Sequence, residues 1–197
     1  LYEGDHRLHS VPVTLVVYGG PDMNQVTDRF EAFPRPIGYK HAIVYIDVRG
    51  SGGRGWKYRS AVYGRLVTVE VEDTLEAMKM VLAKYPRLDK NRIGVFGWSY
   101  GGTMATRLVQ LAPDSFFTCA LAVAPVTNFA FYDATYTERF MGDSNRFMDL
   151  TLDVSKFLNT KLLIVHGMRD DNVHFQNSAL LIEALQHASI PFQLMVH

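Results

Sequence analysis

Gly97-Trp98-Ser99-Tyr100-Gly101-Gly102 sets a serine between glycines at positions −2 and +2. Acyl-transfer chemistry uses that spacing when the serine sits on a strained strand-to-helix turn. The flanking positions must then lack side chains, so that strand and helix can approach. The context fits: Ile93–Phe96 reads as a short strand directly before the motif, and Thr103–Leu111 as a helix closed by Pro113. In a chain with 15 glycines the pattern alone is weak, and its plain alternative is a Gly/Ser turn. A nucleophilic serine also needs an acid and a histidine, in the chain order Ser, Asp/Glu, His for this type of site. The run His166-Gly167-Met168-Arg169-Asp170-Asp171-Asn172-Val173-His174-Phe175 follows another apolar strand. A carboxylate at a strand's carboxyl end is where an α/β sheet builds its site. Asp170 and Asp171 both qualify, and spacing does not separate them. The elbow geometry makes the backbone N–H of Tyr100 one oxyanion donor. Tyr18 ends the first strand and reads equally as a hydroxyl donor or as a half-buried aromatic.

The elements that must position these groups alternate in type. Val13–Tyr18 and Ala42–Val48 read as strands stopped by Gly19-Gly20-Pro21 and by the glycine-rich 50–55 stretch. From Val71 the apolar positions recur at Leu75, Met78 and Leu82. Glu70, Glu72 and Asp73 stand at the front and Lys84 at the back, the charge order that a helix dipole favours. Cys119–Ala124, Leu162–Val165 and Phe192–Val196 read as further strands, and Gln176–Gln186 as a helix. Continuous apolar strands separated by helices imply an α/β fold with a mainly parallel sheet covered on both faces. The segment 128–160, rich in aromatics and charges, suits a pocket-lining excursion. The 197 residues make one domain. Lys plus Arg (20) equals Asp plus Glu (20), so no basic excess points to nucleic acid. No apolar run is long enough to span a bilayer. The chain opens on Leu1 and not on Met, which reads as a cut from something longer.

Several motifs together resemble one family. They are Gly97–Gly102, Asp47-Val48-Arg49-Gly50-Ser51-Gly52, Ala124-Pro125-Val126, Tyr132-Asp133-Ala134-Thr135-Tyr136-Thr137-Glu138-Arg139 and Asp170–Gln176. From about Val13 onward the chain is similar to the catalytic domain of the dipeptidyl peptidase IV and fibroblast activation protein branch of the prolyl oligopeptidase family. The resemblance implies an α/β-hydrolase fold, incomplete at both ends, and a serine peptidase that releases N-terminal dipeptides after a penultimate proline or alanine. It implies Ser99 as nucleophile, Asp170 as the acid and Tyr18 as second oxyanion donor. Tyr132, Tyr136, Val126, Val173 and Phe129 match the apolar proline slot, with Phe129 standing where the family usually has tryptophan. Asn172 matches the side chain that holds a substrate carbonyl. The family's catalytic histidine follows the last strand, so His197 aligns inside a strand end and the chain is expected to stop short of its base. As a separate piece it should then be nearly inert and leave apolar sheet surface uncovered. Cys119 matches a cysteine whose disulfide partner lies further downstream. The resemblance also implies an N-terminal β-propeller and a C-terminal segment packed on this domain, homodimers, and a plasma-membrane ectodomain or secreted location.

Two competing signals are discounted. Gly50-Ser51-Gly52-Gly53-Arg54-Gly55 satisfies G-x-G-x-x-G, with Glu70 20 residues beyond Gly50. A dinucleotide site needs that loop to open directly into a helix, and no apolar period begins before Val71. No cofactor is expected, and no metal, because no histidine or cysteine pair has ligand spacing. A general esterase on the same fold, or a non-catalytic binding relative, are the alternative functions.

Overall fold

The computed structural model describes residues 9–18, 20–29, 40–142, 149–151 and 153–197. Six strands form one sheet: β1 (Val11–Val17), β2 (Ala42–Tyr45), β3 (Leu88–Trp98), β4 (Cys119–Val123), β5 (Lys161–His166) and β6 (Phe192–Val196). Their spatial order is β2-β1-β3-β4-β5-β6, and every neighbouring pair is parallel. All site-bearing loops on one side therefore emerge from strand carboxyl ends. The α-helices among the described residues are α1 (Trp56–Arg59), α2 (Val69–Lys84), α3 (Tyr100–Leu111), α4 (Ala134–Met141) and α5 (Gln176–His187).

Register explains the core. Val44, Leu15, Val95, Ala120 and Leu162 lie in one row across five strands, and all are buried. They join Met104, Ala105 and Leu108 of α3 in the main cluster. Each fully buried aliphatic side chain of this size contributes about 1.5–3 kcal/mol relative to exposure. The opposite face departs from full cover and fits the expectation of apolar sheet surface left uncovered. Phe96, Leu121 and Leu163 form a row that is only half-buried, and the Trp98–Val123–Val165–Met195 row is exposed at both ends.

Other boundaries also shift. Strand β3 begins at Leu88 because backbone pairing with Val11 reaches past the polar stretch Asp89–Arg92, where side chains face solvent and carry no apolar signal. Strand β2 stops at Tyr45, three residues earlier than the apolar run suggests, and Asp47 instead receives the backbone N–H groups of Gln25 and Val26. Among the described residues, the excursion after β4 holds a 3₁₀ turn Phe129–Phe131, α4, a bridge between Asn128 and Asp149, and a 3₁₀ turn Ser155–Asn159.

Candidate active site

Four neighbouring loops converge at the carboxyl ends of β1, β3, β4 and β5. Ser99 links β3 to α3 with φ 57 and ψ −123, a conformation that L-residues rarely adopt. The two flanking glycines are required by contact. A Cβ on Gly97 would overlap the carbonyl oxygen of Gly101, and one on Gly101 would overlap that of Val17. Gly102 is tight as well, since its Cβ would lie 2.7 Å from the Val123 oxygen. The elbow is fastened from both sides: Ser99 N–H donates to Val123 O at 2.8 Å, and Thr103 N–H donates to Ser99 O at 3.1 Å. Tyr100 is the first residue of α3, so its N–H has no partner within the helix and lies at the positive end of the dipole.

The two candidate acids differ in place. Asp170 Oδ1 accepts from Asn172 N–H at 3.0 Å and Val173 N–H at 2.9 Å, while Oδ2 lies 3.6 Å from His166 Nε2. Asp171 is exposed. His166 is wholly buried between Ser178 Oγ and the Val173 carbonyl, each at 2.7 Å. A carbonyl only accepts, so the proton sits on Nε2 and Nδ1 accepts from the serine. His197 pairs through its backbone, its N–H donating to His166 O and its carbonyl accepting from Met168 N–H. Among the described residues, no imidazole hydrogen-bonds to Ser99 Oγ.

An aromatic wall stands beside the elbow. Tyr132 and Tyr136 meet edge-on at 5.4 Å, Tyr136 continues to Phe140 at 4.8 Å, and Tyr100 lies 6.3 Å from both Tyr18 and Phe129. Phe129, Val126 and Val173 are buried beneath it. Tyr132 Oη donates to Asn172 Oδ1 at 3.1 Å, joining the aromatic segment to the Asp170 loop. Burial, then the neighbouring phenol of Tyr18, raises the Tyr132 and Tyr136 hydroxyls above their ordinary range, so both remain donors. These contacts join Tyr100, the residue after Ser99, to Tyr18 and Phe129, and join Tyr132 to Tyr136 and, through Asn172, to the Asp170 loop.

One residue of this neighbourhood escapes the sequence reading. Glu70 there stands with Glu72 and Asp73 as a charge suited to a helix front; it does lie in the first turn of α2, but fully buried, and it accepts from Tyr100 Oη at 2.5 Å. Its one sequence signal is its place among the valines Val67, Val69 and Val71. The glycine-rich 50–55 loop opens into α1, a helix of four residues, and Gly52 faces the Asp22 carbonyl, where a Cβ would lie 2.7 Å away. That contact gives the loop a packing role. Among the described residues no cluster of three His, Cys, Asp or Glu side chains is placed to hold a metal, and no helix is long and apolar enough to cross a membrane.

Residues 38–197 match the prolyl oligopeptidase family. The chain belongs to that family. A dipeptidyl peptidase family member 1 from Caenorhabditis elegans is 52% identical over the whole chain, which covers 25% of that relative. The venom dipeptidyl peptidase 4 of Apis mellifera is 38% identical over 92% of the chain and 25% of its own length. Among solved structures, Porphyromonas gingivalis dipeptidyl peptidase 4 superposes with a TM-score of 0.88 at 36% identity, covering 96% of this chain and 28% of that one. The chain therefore spans about a quarter of the length of the curated relatives it matches. This prolyl oligopeptidase domain has the mostly parallel α/β-hydrolase sheet that the superposition implies.

Proposed function

We infer that this domain carries the nucleophile, acid and proline slot of a serine dipeptidyl peptidase. The observation that supports this best is the strained Ser99 elbow, with the Tyr100 ring near Tyr18 and the Tyr132–Asn172 bridge tying the aromatic segment to the Asp170 loop. Ser99 Oγ attacks the carbonyl that follows the substrate's second residue, and a histidine takes its proton. The Tyr100 N–H and the Tyr18 hydroxyl receive the oxyanion. One such donor contributes about 3–4 kcal/mol to the transition state in comparable sites. Collapse expels the amine of the shortened peptide and leaves a dipeptidyl ester on Ser99, which water hydrolyses.

A penultimate proline or alanine would enter the slot of Tyr132, Tyr136, Val126, Val173 and Phe129, which offers apolar area to a ring that lacks a donor. Because Asn172 Oδ1 is taken by Tyr132, its Nδ2 is the group left to donate to a substrate carbonyl. Asp170, with one oxygen held by two backbone N–H groups, keeps the other to orient a histidine. Homodimerisation, packing against a propeller and a C-terminal segment, and display outside the cell extend the same reading.

The test is hydrolysis of Gly-Pro- and Gly-Ala-p-nitroanilide and of p-nitrophenyl acetate by the full-length gene product. Dipeptide release is expected, with Ser99→Ala lowering kcat by about 10⁶. Ester cleavage without dipeptide release would support the general esterase instead.

A further inference from the structure

The buried Glu70 carboxyl has no part in acyl transfer as described, and its surroundings show what it holds. It lies on the second residue of α2, fully buried, and its Oε1 accepts from the equally enclosed Tyr100 Oη at 2.5 Å. Its other oxygen accepts from Thr68 N–H at 3.3 Å. The turn that presents this N–H is strained. Val67, a β-branched and fully buried residue, has φ 58, a conformation such residues keep only when their surroundings enforce it. Every partner of the carboxyl donates, so it serves as a common acceptor for the start of α2 and the tip of the Tyr100 ring. Burial pushes its titration upward, and the Tyr100 hydrogen bond opposes that shift.

Tyr100 follows Ser99 directly, and its backbone N–H is the oxyanion donor of the reading above. Its ring also faces Tyr18 and Phe129. A residue next to a strained elbow is free to relieve that strain by rotating unless its far end is tied. We propose that Glu70 is a positioning residue of the active site: it anchors the Tyr100 phenol from beneath and so fixes the elbow and the N–H that follows Ser99. The inference rests on Ser99 being the nucleophile.

The test compares Glu70→Gln, Glu70→Leu and Tyr100→Phe in the full-length gene product, with active sites titrated and Gly-Pro-p-nitroanilide as substrate. Glu70→Leu and Tyr100→Phe should each lower kcat about tenfold with KM changed less than about twofold, as expected when a donor is displaced and not removed. Glu70→Gln retains an acceptor and should recover kcat to within about threefold of wild type. The Glu70→Leu/Tyr100→Phe double variant should lose no more than either single one. An unchanged kcat per titrated site in Glu70→Leu, with only a lower Tm, would overturn the proposal, as would Glu70→Gln no better than Glu70→Leu. A second readout does not depend on turnover. Proton NMR of the 197-residue chain should show a far-downfield Tyr100 hydroxyl resonance that both Tyr100→Phe and Glu70→Leu abolish. Its absence from wild type, or its survival in Glu70→Leu, would overturn the anchoring itself. Should the 197-residue chain show the resonance while the full-length gene product releases no dipeptide, Ser99 as a peptidase nucleophile would instead be contradicted, and with it the catalytic half of the proposal.

Discussion

Ser99 is held in a region of backbone space that costs about 1–3 kcal/mol, and only crowded, well-tied neighbours keep it there. The glycines beside it are part of that crowding. Gly101→Ala would drive a methyl into the Val17 carbonyl, against backbone that is itself locked in β1. Overpacking of this kind should destabilise the domain by about 3 kcal/mol, measured by urea denaturation. A Gly101→Ala domain as stable as wild type would show that the elbow has slack. The glycine spacing was legible in sequence because it reports this contact directly. Asp170 and Asp171 were not separable that way: only the folded loop turns one carboxylate onto two N–H groups and leaves its neighbour exposed. The burial of Glu70 was hidden for a related reason. Helix period places it at an N-terminus, but the partner that draws it inward lies 30 residues away.

At the scale of elements, the start of α2 is tied to the loop after β2. Arg49 N–H donates to Asp73 at 3.0 Å, and the guanidinium adds a forked pair with contacts of 2.6–3.1 Å. Burial alone would raise the Asp73 carboxyl, but the Arg49 hydrogen bonds outweigh it and hold the group below its ordinary value. A depressed carboxylate stabilises the fold above its unfolded pKa, about 3.9, and loses that contribution as pH falls through the folded value. Asp73→Asn should therefore be less stable than wild type near neutrality, and the two should converge in acid. With Arg49 43% exposed and Asp73 24%, the neutral gap should not exceed about 1 kcal/mol. Urea midpoints across pH check this, and a gap that stays constant into acid would contradict it. Strand and helix identities were visible as apolar period. Strand β3 was underestimated because half of it pairs only through backbone, which leaves no pattern in side-chain type.

Across the whole molecule, one sheet face is buried over strands β2, β1, β3, β4 and β5 and the other is not. Met195 at 60% and Trp98 at 63% exposure flank the half-buried Val123 and Val165, and β6 ends the sheet order with Leu194 and Val196 also exposed. An apolar face beside an edge strand favours self-association. The 197-residue chain should elute from gel filtration as more than a monomer, and Met195→Lys should shift it toward monomer. An already monomeric chain would contradict this. Alternating strands and helices foretold the parallel sheet, whereas the cover on each face depends on how far each helix reaches, which apolar content does not encode. The central claim is that Ser99, poised above that sheet, forms the covalent intermediate. The direct measurement is to react the full-length gene product with a fluorophosphonate and locate the adduct by peptide mass spectrometry. A single adduct on Ser99, formed in step with loss of Gly-Pro hydrolysis, is the expected result. Loss of hydrolysis with the label on another residue, or full labelling of Ser99 with hydrolysis intact, would contradict the account.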